Sequence, residues 1–289
     1  MRRIRMTSSP PKPRRRRYRI VLGALAVLLV AGGAFAAVVR PSNDRDWSED
    51  QARLPEAVFT GRRVLVHNVR DFDYQATDRW TPRWEDRSYD LDSLSSVWFA
   101  VEPFSDVRGP AHTFVTFGFG DSLAAARYVG ISVEIRKEKG EHFSPMKGIL
   151  RQYELTYVVG DERDLVRLRS NFRRDSVFLY RVHTTPEKAR ALFVSMLERA
   201  NRLKAHPEFY NTLTNTCTTN IVRHVNELVP GRVPFSYKVL LPAYADELAY
   251  DLGLLGHDQP FDSLRAHALI NDRALAADHD SLFSQRIRE

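Results

Sequence analysis

Ala-His-Thr-Phe-Val-Thr-Phe-Gly-Phe (111–119) and Arg-Tyr-Val-Gly-Ile-Ser-Val-Glu-Ile (127–135) both alternate, and a short connection holding Gly120 and Asp121 joins them. In the first stretch Thr113, Val115, Phe117 and Phe119 share one face, with His112, Phe114 and Thr116 on the other. In the second, Val129, Ile131, Val133 and Ile135 stand opposite Tyr128, Gly130, Ser132 and Glu134. A period of two marks β-strands, and the short connection makes them an antiparallel hairpin. A register symmetric about residue 123 pairs Val115 with Ile131 and Phe117 with Val129. It also sets His112 opposite Glu134, with Cβ atoms about 5 Å apart. A one-residue slip would misalign both apolar rows.

Working outward, Val64, Val66 and Val69 mark a strand, and residues 96–104, 153–159 and 177–182 mark others. Residues 77–92, rich in Trp, Arg and Asp, read as loop. Thr185-Pro186-Glu187 starts a helix whose inner face carries Ala189, Leu192, Phe193, Met196, Ala200 and Leu203. A second helix buries Ile221, Val222, Val225, Leu228 and Val229 and stops at Pro230-Gly231, and a third carries Ala245, Leu248, Ala249 and Leu252. Strands followed by packed helices give an α+β class, an antiparallel sheet covered by helices.

Residues 2–19 hold nine Arg and Lys and no acid, and residues 20–39 contain no charge. At about 1.5 Å per residue the apolar run spans about 30 Å, a bilayer's hydrocarbon thickness. Ala34-Phe35-Ala36 resembles a cleavage site, but the run exceeds the usual h-region of about 7–15 residues, which selects an uncleaved anchor. Basic flanks stay cytoplasmic. The expected order is therefore a cytoplasmic tail (1–19), a single-pass anchor in the inner membrane (20–39), a polar linker (40–58), an extracytoplasmic domain (59–272) and a polar tail (273–289). Without the nine tail charges the net charge of +7 becomes 34 basic against 36 acidic residues, so nothing points to nucleic acid. The anchor makes the lipid bilayer a partner.

Cys217 is the only cysteine, in Asn-Thr-Cys-Thr-Thr-Asn at the start of the second helix. A lone cysteine forms no intramolecular disulfide, and a helix start lowers a thiol pKa through the macrodipole and unpaired N–H groups. A thiol nucleophile needs a base, and the base a group to orient it. His112 and Glu134 supply these in the hairpin register. His142, after Gly140-Glu141 in a loop, is the rival base. His224 shares the cysteine's helix face but lies about 10 Å along the axis, too far for a dyad. Asn215, Asn220 and Thr218 flank the thiol as caps or oxyanion donors. Arg136, Arg151 and Tyr153 are candidates to line a site for a phospholipid headgroup or peptide carboxylate. No His-Glu-x-x-His, Cys-x-x-Cys or phosphate-loop pattern occurs, so no metal or cofactor is expected.

A helix-borne Cys and a strand-borne His resemble the papain-like fold, in the permuted order in which His precedes Cys. Ala-His-Thr-Phe (111–114), Ile-Ser-Val-Glu (131–134), Leu-Arg-Gln-Tyr-Glu (150–154), Gly-Asp-Glu-Arg-Asp (160–164), Glu-Phe-Tyr-Asn-Thr-Leu-Thr-Asn-Thr-Cys-Thr-Thr-Asn (208–220) and Leu-Leu-Pro-Ala-Tyr (240–244) resemble a more specific family. It is named for the N-terminal periplasmic domain of Lnb, a lipoprotein N-acyltransferase. The resemblance implies Cys217 as nucleophile and His112 as base, while Glu134 as orienting group follows from the hairpin register. Lnb resembles this domain followed by a multi-helix membrane portion, which is not present in these residues. The reading is a membrane-anchored thiol acyltransferase or hydrolase acting on a lipid, lipoprotein or other envelope ester or amide. An NlpC-type cell-wall peptidase or amidase, and a non-catalytic envelope-binding module, are the alternatives.

Overall fold

The computed structural model describes residues 14–105 and 108–289. Thirteen residues of the expected basic tail thus lie outside the described residues. The chain divides into two compact units, Met1–Pro41 and Ser42–Glu289. In the first, helix α1 (Arg14–Val38) is long and apolar enough over Tyr18–Phe35 to cross a membrane, by length and composition.

The second unit is α+β. Its strands are β1 (Glu56–Thr60), β2 (Arg63–Arg70), β3 (Asp73–Ala76), β4 (Arg79–Thr81), β5 (Trp84–Asp90), β6 (Leu94–Pro103), β7 (Ala111–Phe119), β8 (Arg127–Arg136), β9 (Glu154–Gly160) and β10 (Phe178–Arg181). Its helices are α2 (Pro145–Ile149), α3 (Glu162–Arg167), α4 (Pro186–Ala205), α5 (Cys217–Leu228), α6 (Tyr237–Leu240), α7 (Ala245–Asp251), α8 (Phe261–Ala268), α9 (Asn271–Ala276) and α10 (Phe283–Arg286). The main sheet runs β1-β2-β9-β8-β7-β6-β10, with β5 also on β2. The β2–β9 pairing is parallel and the others antiparallel, so the sheet is mixed rather than wholly antiparallel. These two strands are far apart in sequence, and no local pattern announces such a pairing.

Alternation along β7 and β8 builds two cores. Val115, Phe117, Val129, Ile131 and Val133 join Leu192, Phe193 and Met196 of α4 and Cys217 and Ile221 of α5. On the other face Phe114 and Tyr128 meet Val166 of α3, Ala274 of α9 and Phe283 of α10. A Cβ at Gly130 would stand 2.7 Å from Leu165 Cδ1, so glycine there lets α3 lie close on the sheet.

Three expected segments differ. Residues 77–92, read as loop, contain β4 and β5. β5 is a partly exposed edge strand in which the consecutive charges Glu85, Asp86 and Arg87 hide its period, and its register is set by β2. The linker at 40–58 is docked from Ser42 onward: Trp47 is buried, stacks on Arg136 and bridges to Glu138. The polar tail at 273–289 is part of the second core, because Phe283 and Ile287, one helical turn apart, are fully buried.

Candidate functional site

Cys217 is the first residue of α5. Thr216 is the N-cap: its side chain accepts from Thr219 N, and the Thr219 hydroxyl accepts from Thr216 N. Asn215, a candidate cap or oxyanion donor, instead braces the approach to the helix. Its Nδ2 donates to Phe209 O at 2.9 Å, and its Oδ1 accepts from Asn220 at 3.0 Å. The amides of Cys217 and Thr218 donate to no acceptor among the described residues, which leaves two N–H groups at the positive end of the helix. The thiol is buried, 3.7 Å from Thr218 Oγ1 and beside Tyr210, in the apolar cluster that also holds Tyr153. Burial, with Cys217 adding to it, pushes the Tyr210 phenol up.

Val97, Phe99, Val115, Thr218, Ile221 and Val225 contribute to the lining of a cavity of about 100 Å³ between the sheet and α5, which Thr218, the neighbour of Cys217, reaches and Cys217 itself does not line. Apart from the Thr218 hydroxyl its walls are aliphatic or aromatic.

His112 stands elsewhere. The β7–β8 ladder runs from Phe114 opposite Ser132 to Phe119 opposite Arg127, in the register symmetric about residue 123. His112 and Glu134 lie just beyond it on the second face, where the imidazole stacks on Phe114. His112 Nε2 is 2.7 Å from Ser132 Oγ, which donates to Glu134 Oε1 at 2.9 Å. His112 and Glu134 themselves are 3.9 Å apart, so serine mediates their contact. Arg169 closes the cluster, donating to Glu134 at 2.9 Å and to Glu102 at 2.7 Å. Burial and the Arg169 guanidinium lower the His112 imidazole to about 3, against the pull of Glu134. Burial would raise Glu134, but Arg169 and then His112 override it and hold the carboxyl well below its usual range. Burial lifts Glu102 to about 7 in spite of Arg169.

The structure therefore does not bring the His112 imidazole to the Cys217 thiol. Consecutive strand residues point to opposite faces, and Thr113, not His112, touches the cysteine helix, through a 2.9 Å contact with Thr218. The rival base, His142, is an exposed residue of the connection between β8 and α2. The Tyr153 hydroxyl, in the core that holds Cys217, donates to His142 O at 2.5 Å and accepts from Ser144 N at 3.0 Å. The loop carrying His142 also packs on the segment before the cysteine: Thr212 donates to Pro145 O at 2.8 Å, and Gly148 lies against Tyr210.

The remaining candidates separate. Arg136 is buried and engaged by Gln51 O, Asn43 Oδ1 and Ala52 O, and burial lowers it to about 10 against Glu154. Arg151 is exposed, with its guanidinium over the Phe209 ring. His224 is buried between Tyr157 and Ser195, and burial lowers it to about 4. Ser132, Glu102 and Arg169 escaped the sequence reading. Ser132 was legible in principle, since it alternates onto the face of His112. No group of His, Cys, Asp and Glu among the described residues has the arrangement of a metal site.

A family model described as the Lnb N-terminal periplasmic domain matches residues 80–243, a stretch that includes the cysteine helix, the β7–β8 hairpin and the His142 loop. No curated protein and no solved structure matches the chain.

Proposed function

Since the chain belongs to the Lnb N-terminal periplasmic domain family, we propose that it is a membrane-anchored, extracytoplasmic thiol acyltransferase or hydrolase with Cys217 as nucleophile. The family, and the one helix among the described residues long and apolar enough to cross a membrane, fit a single-pass membrane protein. The observation that carries the chemistry is the thiol at a helix start, with two unpaired amides beside it and an apolar cavity that the next residue, Thr218, helps to line.

Cys217 Sγ attacks the carbonyl carbon of a lipid or lipoprotein ester, and the thiol proton passes to an imidazole. The Cys217 and Thr218 N–H groups receive the oxyanion. The C–O bond breaks, the imidazole returns the proton to the departing alcohol, and a thioester remains. An amine or water then attacks that thioester, the C–S bond breaks, and the imidazole carries the nucleophile's proton to the departing Cys217 sulfur. The acyl chain occupies the apolar cavity, whose walls offer a peptide no polar side chain but Thr218. For the base we favour His142, an exposed residue whose loop packs, through Pro145 and Gly148, on the segment leading to the thiol. The buried His112–Ser132–Glu134 network then acts as a brace under the sheet.

The test is the pH dependence of Cys217 alkylation in the full chain. The thiol should alkylate readily near neutral pH. His142→Ala should slow alkylation near neutral pH and restore it at high pH, whereas His112→Ala should leave the profile in place. Slowing by His112→Ala alone would return the base to the other face. A profile that ignores both substitutions would leave a binding module with one buried cysteine.

A further inference from the structure

The loop between β8 and β9 presents an apolar tip. Phe143, Met146, Ile149 and Leu150 are between 39% and 63% exposed, and Leu213, on the segment against which this loop packs, is 54% exposed. Single exposed apolar residues are ordinary, but five on two segments in contact form a patch that needs an occupant. Residues 139–152 also carry Lys139, Lys147 and Arg151 against one acid, Glu141.

Both stems of this loop are held by the residues that follow the apolar helix. Ser42 N donates to Glu154 Oε1 at 3.0 Å, and Arg45 spans the stems, 3.1 Å from Glu138 and 2.8 Å from Glu154. Trp47 bridges to Glu138, and Ser48 N donates to Lys137 O at 2.9 Å. α1 ends at Val38, four residues before Ser42. Extended chain covers about 3.5 Å per residue, so Ser42 is tethered within about 14 Å of the end of α1. The β6–β7 connection, at the same end of the sheet, adds Phe104, 47% exposed.

We propose that the 139–152 loop and Leu213 form a bilayer-docking surface, which seats the Cys217 end of the domain on the membrane that α1 spans. The inference rests on reading α1 as an anchor. The apolar side chains enter the interfacial region, and Lys147 and Arg151 meet anionic headgroups. The Cys217 end of the domain then lies against the lipid it is proposed to cleave.

The experiment reconstitutes the full chain into phosphatidylethanolamine–phosphatidylglycerol vesicles, with and without bromine-labelled acyl chains. Met146→Trp adds a reporter at the loop tip. Leu123→Trp adds one in the β7–β8 connection, at the far end of the sheet. The unsubstituted chain gives the background of its four tryptophans. The added emission of Met146→Trp should be largely lost on brominated lipid, while that of Leu123→Trp persists. An alkaline carbonate wash separates the two levels of the account. Release from the vesicles would overturn the anchor and the docking together. Retention with both reporters unquenched would overturn the docking alone. A blue-shifted Met146→Trp emission that bromine does not quench would also overturn it, in favour of a protein partner or a second copy.

Discussion

Arg169 reaches four groups at once: Glu102, Glu134, the Leu165 carbonyl and the Phe114 ring. Both carboxylates are removed from bulk water and depend on it. Removing one member of such a network leaves a buried charge uncompensated, at a cost of about 3–5 kcal/mol. Arg169→Met should lower the urea midpoint accordingly. Adding Glu134→Gln should recover part of the loss, because the orphaned charge is then gone. A midpoint unchanged in Arg169→Met would show that the network is solvated. At this scale the sequence was partly legible. The pairing of His112 with Glu134 followed from the hairpin register, but Ser132 between them and Arg169 beneath them required the third dimension. Which side of the sheet receives α5 is a long-range packing choice, and it sends the imidazole away from the thiol.

α10 is only four residues long, yet Phe283 and, just beyond it, Ile287 are fully buried against the second face of the sheet. Phe283→Ala should cost about 3–4 kcal/mol, as expected for emptying a packed aromatic site. Amide exchange across 271–289 should rise with it, whereas a loss confined to global stability would mean that the segment does not close that core by itself. Two apolar residues among charges do not stand out as a core element in a linear reading. β5 hides in the same way, since an edge strand with charges on its open face carries little periodic signal. The reverse holds for β7, β8, α4 and α5, where each segment has a clear period and its own turn or cap. Those are the elements that position Cys217.

On the scale of the whole molecule, the sheet divides two chemistries. One face carries α4, α5, the apolar cavity and the thiol, and the other carries a buried charge network closed by the C-terminal helices. The end of the sheet with the 139–152 loop also holds the docked chain that begins at Ser42. The central claim is that Cys217 attacks acyl groups whose chains enter the adjoining cavity. Comparing iodoacetamide with a long-chain alkyl iodoacetamide on the full chain in vesicles, and mapping the modified residue, tests it most directly. The account predicts modification at Cys217, faster with the long chain, with that advantage lost when Val225→Trp fills the cavity. Labelling at Cys217 that is indifferent to chain length and to Val225→Trp would contradict it.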